Sequence, residues 1–275
     1  MNMYLNILKK LMPVLFVIGI TVSAVSGPAM AAAELASHRA FYSVSMAPDS
    51  GSSTIAGVDG AMTMSLEKTC DGWIFTQDMS TVITLQDGSD VKQTALFTSW
   101  ESLDGMSYRF ASRFATGNGQ SMVRGNANLN PEGDGEAHYI EPTEVRVVLP
   151  QGTLFPVSHT AWVIDEAELG SRSASRVVFT GTEELEPELV NAFIGNPVEA
   201  DAHEFSGIDD LGSTRGWPLT MAFHSMASQS GVPSFEMWAL QLDNGIAPSL
   251  RMNFGEFATV MTVKRLERLE TPACG

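Results

Sequence analysis

The sequence predicts a mainly β protein: one long antiparallel sheet with one or two helices packed against it. Three observations predict it. Apolar residues alternate with polar ones at period two in several separated runs. Asp-Gly and Asn-Gly pairs stand between the runs. Only one stretch shows helical start and stop signals.

The strands come first. Tyr108, Phe110, Ser112 and Phe114 alternate with Ser107, Arg109, Ala111 and Arg113, a strand with an aromatic face. Met62, Met64 and Leu66 alternate with Thr63 and Ser65. Trp238, Leu240 and Leu242 alternate with Met237, Ala239 and Gln241, and Leu250, Met252 and Phe254 with Arg251 and Asn253. The turns fall at Asp71-Gly72, Asp87-Gly88, Asp104-Gly105, Asn118-Gly119 and Asn244-Gly245, pairs that accept the positive φ of tight hairpins. Residues 130–136 are expected to form a polar loop, and residues 183–188 an acidic loop or a short helical turn. The helix is expected over Thr160–Leu169, with Pro156 before it, Ser158 or Thr160 as cap and Gly170 as stop. Trp162, Val163, Ile164 and Ala167 would form its buried face, and Asp165, Glu166 and Glu168 its solvated one.

The N-terminus carries an export signal. Lys9 and Lys10 precede an apolar run, Leu11 to Val22, and then Ala29-x-Ala31. Residues 1–31 are expected to be a cleaved signal peptide, and 32–275 a single domain. The apolar run is too short for a spanning helix, and no transmembrane segment is expected after cleavage. A periplasmic location follows. The mature chain keeps 14 Lys and Arg against 32 Asp and Glu, a formal charge of −18. That charge argues against nucleic acid and anionic membrane surfaces as partners.

Two cysteines, Cys70 and Cys274, remain in an oxidising compartment, where they are expected to pair as a disulfide. The alternative, free or catalytic thiols, finds no Cys-x-x-Cys spacing.

Other chemistry has weaker support. His38, His138, His159, His203 and His224 show no metal-site spacing, so neither metal nor cofactor is expected. Ser158-His159 and His224-Ser225 are adjacent pairs, but there is no Gly-x-Ser-x-Gly elbow, and neighbours on a strand point to opposite faces. Gly117-Asn118-Gly119 lacks the lysine and following helix of a phosphate loop. No catalytic residue is assigned.

An ordered set of short motifs spans the mature chain, from His38-Arg39-Ala40 and Tyr42 through Gly60-Ala61-Met62, Cys70-Asp71-Gly72-Trp73, Trp100-Glu101 and Tyr108-Arg109-Phe110. Gly152-Thr153-Leu154-Phe155-Pro156 with His159-Thr160 follows, then Phe235-Glu236-Met237, Phe254-Gly255-Glu256-Phe257 and Pro272-Ala273-Cys274. Taken in order, these motifs resemble the EipB-like periplasmic envelope integrity proteins. The resemblance implies a sheet wound into a spiral, broken β-barrel with helix packed into it, and a Cys70–Cys274 disulfide. It implies a role in maintaining the cell envelope, and with no catalytic constellation in the sequence the expected role is non-enzymatic, through an envelope protein partner. A lipid, acyl chain or lipoprotein on the concave face is the alternative ligand, and an envelope hydrolase a more distant one. The acidic stretch 180–210 shows little of the family pattern.

Overall fold

The structure is a computed structural model that describes residues 33–117, 119–182, 185–205, 208–226 and 231–274. The signal peptide expected over 1–31, Asn118 of one predicted turn and residues 183–184 of one predicted loop lie outside the described residues.

Eight strands come first: β1 (His38–Met46), β2 (Ile55–Lys68), β3 (Gly72–Leu85), β4 (Asp90–Ser102), β5 (Ser107–Thr116), β6 (Gly119–Leu129), β7 (Gly135–Glu141) and β8 (Val145–Leu149). The helix α1 (Pro156–Glu168) interrupts them. Then follow β9 (Ser173–Val178), β10 (Glu188–Ile194), β11 (Val198–Glu199), β12 (Arg215–Ser225), β13 (Phe235–Leu242), β14 (Ser249–Asn253) and β15 (Ala258–Arg268). The sheet order is β8-β7-β6-β5-β4-β3-β2-β1-β15-β14-β13-β12-β10-β9, with β11 beside β12. Every ladder between these strands is antiparallel.

The two end strands are consecutive in the chain, on either side of α1, and they do not pair. The sheet is therefore wound but open. What joins its ends is the segment after β8: Leu154 forms an isolated parallel bridge with Val178. The Leu154 amide donates to the Val177 carbonyl at 2.9 Å, and the Phe179 amide to the Leu154 carbonyl at 3.0 Å.

Three apolar clusters line the inner face. Tyr42, Met62, Leu250, Met261 and Val263 form one, covered by Ala200, Phe205, Ile208 and Leu211. Val163, Ile164 and Ala167 of α1 sit in the second, with Val190, Trp217, Leu219 and Phe223. The third is aromatic: Tyr108, Phe110, Tyr139, Phe155 and Phe179. The acidic stretch 180–210 is thus a working part of the fold. It supplies β10 and part of the plug over the first cluster.

Local differences from the expectations have physical causes. In β13 the residues facing β12 and the interior are Met237, Ala239 and Gln241, because Leu219 pairs with Ala239 and Met221 with Met237. Trp238 instead faces outward under the Arg251 guanidinium, 5.7 Å away. Glycines at 88, 105 and 245 carry the positive φ expected of their turns, whereas the β5–β6 hairpin places it at Gly117 (φ 53°). The helix begins one turn earlier than expected, with Pro156 in its first turn, where the missing N–H costs nothing.

Candidate functional site

The segment Gly152–His159 is where sheet ends, helix start and aromatic cluster meet. Thr153 is buried, and its hydroxyl donates to the Pro150 carbonyl at 2.6 Å, closing the turn after β8. Leu154 then bridges to β9. Phe155 is fully buried and stacks on Tyr108 with ring centroids 4.8 Å apart. Tyr108 donates its hydroxyl proton to the Thr180 carbonyl at 2.9 Å, and Tyr139 to the Thr182 carbonyl at 3.2 Å. Burial raises the pKa of both phenols, so both stay protonated donors.

The cap of α1 corrects the sequence reading. Neither Ser158 nor Thr160 caps the helix. Phe155 occupies the cap position and offers no side-chain acceptor. The acceptor comes from β4: the Glu101 carboxyl takes the Val157 and Ser158 amide protons, each at 2.8 Å, and the Ser158 hydroxyl proton as well. A carboxyl group at a helix N-terminus satisfies amides that the helix itself cannot. Glu101 is 1% exposed, and burial pushes its pKa up against the opposing pull of these three donors. Glu101 therefore clasps the helix into the wound sheet.

The geometry around Ser158-His159 and His224-Ser225 agrees with the sequence, which assigns neither pair a catalytic role. The Ser158 hydroxyl is committed to Glu101. His159 is buried among the residues around α1, with its Nε2 unpartnered and its ring 5.9 Å from Trp162. Burial lowers its pKa to about 4, so the ring is neutral. The Ser225 hydroxyl donates to Glu186. Both serine hydroxyls thus donate to carboxylates. His138 bonds Glu144 at 2.9 Å on the outer face, and His38 bonds the Ala36 carbonyl at 2.8 Å. The side chain of His203 lies outside the described residues. Among the described residues no group of three or more His, Cys, Asp and Glu side chains could hold a metal ion.

The helix acids are more engaged than a solvated face would be. Asp165 accepts the Ala33 amide proton at 2.8 Å, Glu166 the Ser171 hydroxyl proton at 2.5 Å, and Glu168 pairs with Arg215 at 2.8 Å. Cys70, between β2 and β3, is bonded to Cys274 near the C-terminus, with Cα atoms 5.4 Å apart. The bond anchors an exposed tail to the β2–β3 turn.

Two shallow grooves open on the surface of the described residues. One, of about 450 Å³, lies outside β6–β8 against Asn126, Asn128, His138 and Arg146. The other, of about 660 Å³, follows residues 199–214 and is lined by Glu199, Asp201, Asp209 and Asp210. Both are polar. No helix among the described residues is long and apolar enough to cross a membrane.

These features define a class: a long antiparallel sheet, wound but open, with a helix clasped inside by a buried carboxyl group. Residues 29–270 match the EipB-like family, and the chain belongs to it. It is similar to the cell envelope integrity protein EipB of Brucella abortus (strain 2308), 25% identical over 247 residues and 88% of each chain. Its fold is similar to the crystal structure of a β-barrel-like protein of domain of unknown function DUF1849 from Brucella abortus. That match has a TM-score of 0.78 at 24% identity and covers 87% of this chain and all of the other.

Proposed function

We propose that this protein is an exported, periplasmic and non-enzymatic component of the bacterial envelope that supports envelope integrity by binding another envelope protein. The observation that carries the reading is the filled interior. α1 occupies one part of the inner face, and Ala200, Phe205, Ile208 and Leu211 another. An acyl chain on the concave face would have to displace the helix, and with it the Glu101 bonds. Recognition is left to the outer strands, loops and edges. Membership of the EipB-like family supports the envelope role.

The test is crosslinking in intact cells with a short amine- and carboxyl-reactive reagent, followed by purification of the adducts. The reading expects a reproducible adduct with a second envelope protein, and loss of envelope resistance to detergent on gene deletion. Crosslinking that yields only the unmodified chain, with resistance unchanged, contradicts it.

A further inference from the structure

The charge of this protein is segregated. The outward positions of β4, β5 and β6 follow from the register, because Glu101, Tyr108, Phe110 and Val123 face the interior. Those outward positions carry Lys92, Arg109, Arg113 and Arg124, all exposed, and one acid, Asp90. Asp90 accepts the Thr84 hydroxyl proton at 2.8 Å. The outward positions of these three strands therefore hold four of the mature chain's 14 cations but only one of its 32 acids. The rest of the molecule is correspondingly more anionic.

The cations sit among apolar side chains. Arg113 lies directly between Leu96 of β4 and Met122 of β6 in the ladder, and each of those is 41% exposed. Arg109 covers Trp100 at 5.0 Å, and Arg124 pairs with Glu141 at 2.7 Å. Arg113 and Lys92 make no ion pair among the described residues. Arginine, methionine and tryptophan with few acids is the composition that protein interfaces enrich.

We propose that the outward face of β4–β6, centred on Arg113 between Leu96 and Met122, docks an envelope protein that presents carboxylates around an apolar patch. The proposal rests on the interaction reading above and names its surface. Charge complementarity sets the partner's chemistry: an unpaired guanidinium flanked by apolar groups selects a carboxylate with an apolar neighbour. A membrane is the poorer occupant, because an anionic lipid surface repels the remainder of this acidic chain. At strand spacings of about 4.8 Å and about 3.4 Å per residue, the face of β4–β6 covers roughly 550 Å². That is the size of a transient interface, so the contact is weak and salt-sensitive.

The experiment places a photoreactive benzoylphenylalanine at Met122 in the full exported chain in its own cells, with a control at the exposed Glu256 on the β14–β15 turn. The proposal expects a protein adduct at Met122 whose crosslinked peptide contains Asp or Glu. Arg113→Glu with Arg109→Glu should cut its yield by about tenfold or more, since like charges across an interface cost several kcal/mol. Circular dichroism checks that the double variant is folded. No adduct at Met122, an adduct indifferent to the charge reversal, or an adduct with a lipid or a second copy of this chain overturns the proposal. A protein adduct at Glu256 alone refutes this surface and leaves the interaction reading standing. No protein adduct at either position, with whole-cell crosslinking also empty, removes both.

Discussion

Replacing Glu101 by alanine withdraws the only side-chain acceptor that β4 offers to α1. The Val157 and Ser158 amides, each 2.8 Å from a Glu101 oxygen, lose their partner, and so does the Ser158 hydroxyl. An unsatisfied buried donor costs about 1–3 kcal/mol. Removing a carboxyl group from the interior returns part of that sum, because its own burial is unfavourable. The net expectation for Glu101→Ala is a loss of about 3 kcal/mol at pH 7. For a domain of this size that lowers Tm by about 10 °C. Glu101→Gln keeps one acceptor and loses less, about 1 kcal/mol. Its pH dependence is the sharper readout. Burial holds the Glu101 pKa above its ordinary value, so the folded state binds this proton more tightly than the unfolded chain. The associated stability is full below the unfolded pKa and is lost as pH rises through the folded one. Glutamine does not titrate, so the stability gap between wild type and Glu101→Gln should be widest near pH 4 and narrow toward pH 8. Thermal or urea melts at three pH values measure it. An alanine variant as stable as wild type, or a gap that widens with pH, would refute the clasp as described.

Other expectations follow from the same geometry. Cys274→Ser opens a loop with a sequence separation of 204, for which the chain-entropy model gives about 5 kcal/mol; melts with and without reductant should converge on the variant's lower Tm. Gly181→Ala should destabilise by about 2 kcal/mol or more, because φ is 71° and a Cβ there would lie 2.4 Å from Phe110 Cγ; a urea midpoint equal to wild type contradicts this. Neutral, buried His159 has a folded pKa of about 4 against 6.5 for the free group, so its share of stability is present above pH 6.5 and lost as pH falls toward 4. That share is about 3 kcal/mol, and His159→Leu should flatten the acid limb of the stability curve; an unchanged limb argues against it.

The sheet class, four of its strands and several of its turns were legible in the sequence, and the reason is local. β5 shows its faces because Tyr108 and Phe110 alternate with Arg109 and Arg113, and the Asp104-Gly105 turn before it satisfies its own φ requirement. β13 shows the limit: both of its rows are apolar, and pairing with β12, not alternation, decides that Ala239 faces inward and Trp238 outward. β10 was hidden for the same reason, with Val190, Ala192 and Ile194 on one row and Leu189 and Phe193 on the other. The helix start was displaced because its cap is not local: Glu101 stands 56 residues before Val157 in the chain. The motif around Phe155 was visible as a motif, but its work as a joint between sheet ends depends on contacts with Tyr108 and Val178 that no local pattern encodes. The two cysteines needed only counting and a compartment. The cationic face needed the register, since Lys92, Arg109, Arg113 and Arg124 are scattered along the sequence and gather only when β4, β5 and β6 align.

The central claim is that the interior belongs to the protein's own helix and loop, and that its function is exercised from outside. Native mass spectrometry of the protein, purified gently from its own envelope, tests this most directly. The account predicts the mass of the processed chain less two hydrogens, with no small molecule retained, and a second protein in the fraction isolated under the mildest conditions. A stoichiometric lipid or acyl species that survives purification would contradict it and restore the concave face as a binding site.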